Sequence, residues 1–519
     1  MTTKKVVVIG IDGMDRELVE KFEKFLPNLK RLKENSPKVD LVSVFPPDSP
    51  TAWATIYTGL SPAEHGVVFF KDPLNPKKAG EHMEMVERIK GKTFWDIASK
   101  EGRKVCVVFP HMGYPPWEVN GIMIGRTTEV DLREFDIKTY PEDIMSKYHI
   151  KERKLMPVTS FPLSLDNFLE RTKEVLYEEV KLGVELLKKE DWDLFFIYFN
   201  SLDNVEHVFW RYFDPEDPYY EPGNKYEKVI PEFYKLYDEL VIGSFLREID
   251  EDTILIVLSD HGHAMRPWQV VNINEILRQE KLLYSVEDTN KSKITSKLLI
   301  ETKSLVTKLI DKYRLLGKIA SLLLRAKPDI FAKYTKIAPI DFKRTVAYLS
   351  DPSGGLKAYS YAGIKIIREN ISPGESYESI RAKIIDLLLS IRDEQGTQLV
   401  EWALPREKLY SGPHLEKYPD VVFKLKDTWG VGWNIGKGKF GVSDTHRLHS
   451  GNHRMETPVF FVYTPPSTVN RWTVLKRKAT LMDISPTILN ILGAKWEKYY
   501  FNGMPIVKIS NERDLKHEK

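Results

Sequence analysis

Three acidic residues stand at the ends of apolar runs that are far apart in the chain. Asp12 closes KKVVVIGIDG, Asp203 follows DLFFIYFNS, and Asp260 follows TILIVLS. Each alone reads as a turn former or a helix cap. If the runs are strands of one sheet, the three carboxylates face one crevice, where like charges repel unless protons or cations compensate them. Histidines accompany these acids. His207 follows Asp203 by one helical turn, so both can face one ion. His261 adjoins Asp260, with His263 just beyond, and His446, His449 and His453 gather in HRLHSGNHR before the run TPVFFVY. Mixed Asp and His donors without thiolate suit zinc, manganese or a related divalent ion.

A candidate nucleophile lies in FPPDSPTAWATIYTG, residues 45–59. Ser49 is expected to cap a helix that has Pro50 at its first position. The start of a helix also presents free N–H groups and partial positive charge, which suit a phosphate. A hydroxyl there, next to a metal, can be ionised without a histidine base. The stretch alone leaves Ser49 and Thr51 both open.

The elements that must position these groups follow from hydropathy patterning. Near-continuous apolar runs at 4–11, 104–109, 193–199, 253–259 and 457–463 read as strands buried on both faces. Helical patterns lie between them, including ELVEKFEKFLPNLKRLKE, KTFWDIASKEG and FLERTKEVLYEEVKLGVELLKKED. The alternation predicts an α/β fold with a largely parallel central sheet, in which chemistry collects at the carboxyl ends of strands. With 519 residues the chain exceeds one ordinary core. Its texture changes after about residue 280, so residues 1–280 and 430–519 are expected to form the core, with 281–429 a helix-rich α+β insertion over it.

Composition removes other classes. A net charge of +3 gives no global attraction to nucleic acid, and no stable nucleic-acid binding is expected. The one cysteine, Cys106, excludes an internal disulfide or a cysteine-rich zinc site, and KVCVVF around it reads as a buried strand. No run reaches the roughly 20 apolar residues of a membrane span. The short apolar run near the N-terminus lacks a cleavage site and reads as a strand of a cytoplasmic protein. Residues 291–337 are leucine-rich and basic. They permit a rival reading, a non-catalytic protein docking on an anionic membrane or a partner.

The pieces GIDG, PPDSPTAWATIYTGLSPAEHG, LDNVEHVFW, LSDHGH, YSGPHLEKYPDVVF, SGNHRMETPVFF and MDISPTILNILG fall in this order over nearly the whole chain. In this the sequence resembles the alkaline phosphatase superfamily, specifically its type I phosphodiesterase/nucleotide pyrophosphatase-like branch. The resemblance implies an alkaline-phosphatase-like core and two divalent cations, zinc or manganese. Asp12, Ser49, Asp260 and His261 would hold one; Asp203, His207 and His453 would hold the other. Relatives place the nucleophile nine residues before the Thr-Gly that ends the helix, which selects Ser49 over Thr51, although many carry threonine there. The SGNHR context selects His453 over His446 and His449.

The implied activity is hydrolysis of a small phosphoester, a nucleotide among the candidates, through a phosphoserine. SPTAW lacks the arginine that a sulfatase needs, and residues 45–66 contain no Arg or Lys to hold a third anionic oxygen. A diester therefore fits better than a monoester. The alternatives are a phosphomonoester or phosphonate hydrolase, or a phosphotransferase, and a basic residue entering from the insertion would favour them. Trp53 and His263 are candidate substrate-binding residues, with Trp117 and Trp210 further candidates for stacking a base. His65, in SPAEHG, is expected to close a turn behind the helix.

Overall fold

The computed structural model describes residues 5–70, 72, 74, 81–127, 135–158, 164–286, 340–355, 357–443, 445–464, 471–474 and 478–510. At its centre a seven-stranded sheet runs in the order Phe460–Tyr463, Thr253–Leu258, Lys5–Ile11, Leu194–Phe199, Val105–Val108, Gly121–Arg126, Ile137–Tyr140. The inner strands pair in parallel and both edge strands antiparallel. Successive side chains of one strand enter opposite cores, as the pleat requires. Val7, Ile9 and Ile11 pack with Phe195 and Ile197 on one face, and Val6 and Val8 with Leu194 and Phe196 on the other. Burial on both faces explains why the runs are continuously apolar rather than alternating. The C-terminal run is the exception in direction. It was expected to resemble the others, but Phe460–Tyr463 closes the sheet as an antiparallel edge.

Helices cover both faces. Leu165–Lys189 lies on the first, capped by Ser164 Oγ, which accepts from the Asn167 amide. Phe94–Lys100, Ser49–Thr58 and Ile484–Leu492 lie on the second. The helical pattern expected from Glu17 onward divides into Arg16–Phe22, a single turn at Glu23–Phe25, and Pro27–Asn35. Pro27 has no amide to continue the first helix and suits the start of the next.

Three neighbouring strands bring the acids together. Gly10 stands opposite both Tyr198 and Leu258, so Asp12, the start of helix Ser201–Phe213 and Asp260 leave the sheet at one edge. Gly13 turns with φ +72°, and a Cβ there would lie 3.1 Å from the Asp203 Cβ. Glycine therefore serves both the left-handed turn and the close approach. A Cβ on Gly10 would come within 2.7 Å of the Trp53 indole, which lies across the strand. Beyond Asp260, Gly262–Met265 pairs antiparallel with Gly451–Arg454, placing His263 opposite His453.

A further antiparallel sheet runs in the order Ala347–Ser350, Tyr361–Ile366, Val421–Leu425, Val400–Pro405, with helix Tyr377–Leu389 against it. Its buried cluster includes Val271, Ile273, Ile276 and Leu277 on one side of the insertion and Val431, Trp433 and Ile435 on the other. Tyr359, Tyr361, Tyr418 and Val422 pack on Phe45 and Phe70, next to the entrance of helix Ser49–Thr58. The basic stretch 291–337 lies outside the described residues. No helix among the described residues is long and apolar enough to cross a membrane.

Candidate active site

Helix Ser49–Thr58 begins at Ser49 itself, and Asp48 takes the N-cap position with φ −87° and ψ 136°. The capping role expected for Ser49 is thereby corrected. Its Oγ turns toward the sheet instead, donating to Asp12 Oδ1 at 3.2 Å and lying 3.3 Å from His261 Nε2. Thr51 is fully buried, and its Oγ1 has no hydrogen-bond partner among the described residues.

Asp12, Asp260 and His261 form a buried donor group around that hydroxyl. His261 Nε2 is 3.4 Å from Asp12 Oδ1 and 3.3 Å from Asp260 Oδ2. Its Nδ1 faces the Gly262 carbonyl at 3.0 Å, which makes Nδ1 the donor and leaves Nε2 for the site. The other Asp12 oxygen accepts from Trp53 Nε1 at 3.0 Å and from Tyr198 OH at 2.5 Å. Asp260 Oδ1 accepts from the Gly13 amide at 3.2 Å.

The electrostatics push neighbours apart. Burial alone would raise the Asp12 carboxyl, but the hydrogen bond and charge of His261, helped by His111 and Tyr198, hold it below its ordinary range. Asp260 moves the other way, raised by burial and by the charge of Asp12. Burial opposes charge on His261, yet Asp260 and Asp12 outweigh it and draw the imidazole up to about 10. Two carboxylates and an imidazole that attracts a proton this strongly form a place where a cation can substitute for protons.

The second group gathers Asp203, His207 and His453. His207 Nε2 lies 3.3 Å from Asp203 Oδ1 and 3.0 Å from His453 Nε2, and His453 Nε2 is 3.6 Å from Asp203 Oδ1. His207 Nδ1 faces the Gly451 carbonyl at 2.9 Å, so its Nε2 carries a lone pair. Burial, then the charges of neighbouring groups, holds His207 and His453 well below the usual imidazole range. The two groups adjoin, with the His261 and His453 rings stacked at 3.9 Å. Carboxylates and imidazoles converging this closely, with Asp260 Oδ2 buried and lacking a hydrogen-bond partner among the described residues, fit a pair of divalent cations.

Several expectations change. Trp53 is fully buried and directs its N–H at Asp12, so it positions a candidate ligand rather than contacting substrate. The His263 side chain is likewise enclosed, facing Asp203 at 3.6 Å and Glu206 at 3.5 Å. Trp117 donates to Asp96, and Trp210 stacks on His263. Neither offers a face for a base. His446 pairs with Asp217 at 2.7 Å, and His449 lies against the His207 ring at 4.1 Å while contacting Arg266. His65 bridges Thr55 and the Val67 amide behind the helix.

Sequence reasoning missed Glu206 and Arg266. Glu206 stands one helical turn from Asp203 and was legible from spacing alone. Arg266 is fully buried and donates to the carbonyls of His449 and Gly451 at 2.7 and 2.6 Å. No local pattern marks it, because its partners lie in a segment near residue 450.

Residues 6–449 match the family model for type I phosphodiesterase/nucleotide pyrophosphatase. The chain belongs to that family. A fission yeast (Schizosaccharomyces pombe) protein described as an uncharacterized pyrophosphatase/phosphodiesterase is 28% identical over 262 residues, half of this chain and 44% of that protein. The match thus spans less than half the length of that curated relative. Phosphonoacetate hydrolase from Sinorhizobium meliloti, solved with phosphonoformate, superposes with a TM-score of 0.55 at 14% identity, over 95% of this chain and 96% of its own. Murine ectonucleotide pyrophosphatase/phosphodiesterase 5 gives 0.49 at 14% identity, over 96% and 97%. The likeness to the hydrolase supports the alkaline-phosphatase-like fold of this family member.

Proposed function

We propose that this chain is a metal-dependent phosphoester hydrolase, acting on phosphodiesters or nucleotide pyrophosphates with Ser49 as nucleophile. The observation that carries the reading is the approach of Ser49 Oγ to Asp12 and His261, within 3.2 and 3.3 Å, at the sheet edge of a type I phosphodiesterase family member. Divalent cations, zinc or manganese, held by Asp12, Ser49, Asp260 and His261 and by Asp203, His207 and His453, would supply Lewis-acid charge for the hydroxyl and the phosphoryl oxygens.

The residues themselves do the rest. Ser49 Oγ attacks phosphorus, the bond to the leaving oxygen breaks, and hydrolysis of the phosphoserine restores the hydroxyl. Trp53 and Tyr198 hold Asp12 in one orientation through its second oxygen. The helix start presents its amides toward the phosphoryl group. The described part of the insertion, residues 340–355 and 357–429, acts as a cap, a role supported by the packing of Tyr359 and Tyr361 against Phe45, near Ser49 in the chain.

A second reading, a phosphomonoester or phosphonate hydrolase, is favoured by Lys357. This lysine comes from the insertion, and its charge contributes to holding His207, His263, His449 and His453 low. A cation there could meet an additional anionic oxygen. Comparing rates on bis-p-nitrophenyl phosphate and p-nitrophenyl phosphate separates the two. Ser49→Ala tests both, with turnover expected to fall by at least about 1,000-fold while the ions stay bound. Full activity in that variant removes Ser49 from the mechanism.

A further inference from the structure

Behind the second donor group lies a pair of side chains that the proposed reaction does not use. Glu206 and His263 are 0% and 2% exposed. Glu206 Oε1 accepts from Tyr234 OH at 2.8 Å, whereas Oε2 has no hydrogen-bond partner among the described residues. Among the same residues neither ring nitrogen of His263 has one. The orphaned atoms face one another: His263 Nδ1 is 3.5 Å from Glu206 Oε2 and 3.6 Å from Asp203 Oδ1. A buried carboxylate oxygen and a buried imidazole nitrogen side by side without hydrogen bonds, both beside Asp203, are groups that one cation would satisfy together.

The surroundings hold both groups in place. Tyr234 OH also accepts from the Asp15 amide at 2.9 Å, and the His263 amide donates to Asp15 Oδ2 at 3.1 Å. Trp210 stacks on the imidazole at 5.6 Å, and the His207 ring meets it edge-on at 4.6 Å. On the far side a Cβ on Gly451 would come within 2.5 Å of His263 Nε2, so that backbone closes the remaining direction. The ring is walled in with its Nδ1 directed at two carboxylates.

We propose that Glu206 and His263 hold a third divalent cation, bridged to the second donor group by Asp203. Asp203 is placed to bridge, with Oδ1 3.3 Å from His207 Nε2 and 3.6 Å from both His263 Nδ1 and His453 Nε2. Such separations match donors sharing an ion at bond lengths of about 2.0–2.2 Å. One imidazole and two carboxylates suit zinc or manganese. The proposal rests on the two-cation reading for the bridge through Asp203 and for the count of three, while Glu206 and His263 themselves take no part in the proposed reaction.

The test counts ions. Full-length protein is loaded with zinc or manganese chloride, desalted and analysed by mass spectrometry for metal, and zinc-loaded crystals are examined by anomalous diffraction. Wild type should hold three ions per chain, and Glu206→Gln and His263→Ala two each, with unchanged circular dichroism. Two ions in wild type, three retained in both variants, or no anomalous peak between Glu206 and His263 overturns the proposal. If either variant fails to fold, the wild-type anomalous map decides. Hydrolysis of bis-p-nitrophenyl phosphate, assayed alongside, reports separately on the Ser49 chemistry.

Discussion

His207 Nε2 lies 3.0 Å from His453 Nε2, across 246 residues of chain. Two neutral imidazoles can face each other this closely when one donates or when a cation lies between them. His207 has committed its Nδ1 to Gly451 O, so its Nε2 is an acceptor. His453 Nδ1 lies 3.8 Å from Asp48, beyond hydrogen-bond reach, so His453 Nε2 either donates to His207 or shares a cation with it. In the second case two lone pairs point at one space, and Asp203 supplies the negative charge beside it.

That arrangement separates the three C-terminal histidines by experiment. His453→Ala should weaken binding of the second cation by more than about 100-fold, measured by metal titration of chelator-stripped protein. His446→Ala should leave metal binding unchanged, because its partner is Asp217. Its effect is on stability, a loss of about 1–3 kcal/mol in denaturant unfolding as Asp217 Oδ2 loses its buried partner while Oδ1 keeps the Tyr219 amide. Equal metal loss in both variants would contradict the assignment.

Trp53→Phe tests the positioning of Asp12. The substitution keeps an aromatic side chain but removes the N–H that holds Asp12 Oδ2, together with the outer part of the indole that packs on Gly10. Turnover and affinity at the first position should fall about 10–100-fold, the usual effect of deleting an outer hydrogen bond to a ligand. Substrate affinity should change little, since the indole is buried. A rise in KM with kcat intact would return Trp53 to the substrate.

The pH dependence of stability should carry the signature of His65. Burial, then the charges of Lys92, His414, Lys417 and Arg88, draws it from its ordinary 6.5 to about 3. Between those values the unfolded chain binds a proton that the folded chain refuses. Stability therefore falls as pH drops through this window, by up to about 1.4 kcal/mol per unit from this group. His65→Gln should make the slope shallower by that amount between 6.5 and 3, as read from unfolding curves at successive pH values.

Much of this was legible in the sequence for definite reasons. Strands buried on both faces announce themselves as apolar runs, and acids at their ends follow the sheet edge, so Asp12 and Asp260 were accessible from pattern alone. Asp203 and His207 were accessible from helical spacing. The direction of Phe460–Tyr463 was not, because an apolar run carries no sign for parallel or antiparallel pairing. The burial of Trp53 and His263 was not legible, for another reason. Aromatic and imidazole side chains near a site look the same in sequence whether they face substrate or sit behind a ligand, and the difference was made by Gly10 and by the ladder to His453.

Ser49 and Thr51 pose the remaining choice, and Thr51→Val settles it with Ser49→Ala as the control. Thr51 Oγ1 is buried without a hydrogen-bond partner among the described residues, and valine replaces it at nearly the same volume. Removing an unsatisfied buried hydroxyl in this way is neutral or stabilising, since no partner is orphaned. Thr51→Val should therefore unfold within about 1 kcal/mol of wild type and retain turnover of bis-p-nitrophenyl phosphate within about threefold. Ser49 Oγ, by contrast, is shared between Asp12 and His261, and the helix turns it away from every capping role. A hydroxyl that neither caps nor fills a cavity, yet faces a carboxylate and an imidazole at the sheet edge, is the better placed of the two for the proposed nucleophile. Loss of turnover in Thr51→Val with full activity in Ser49→Ala would reverse the assignment.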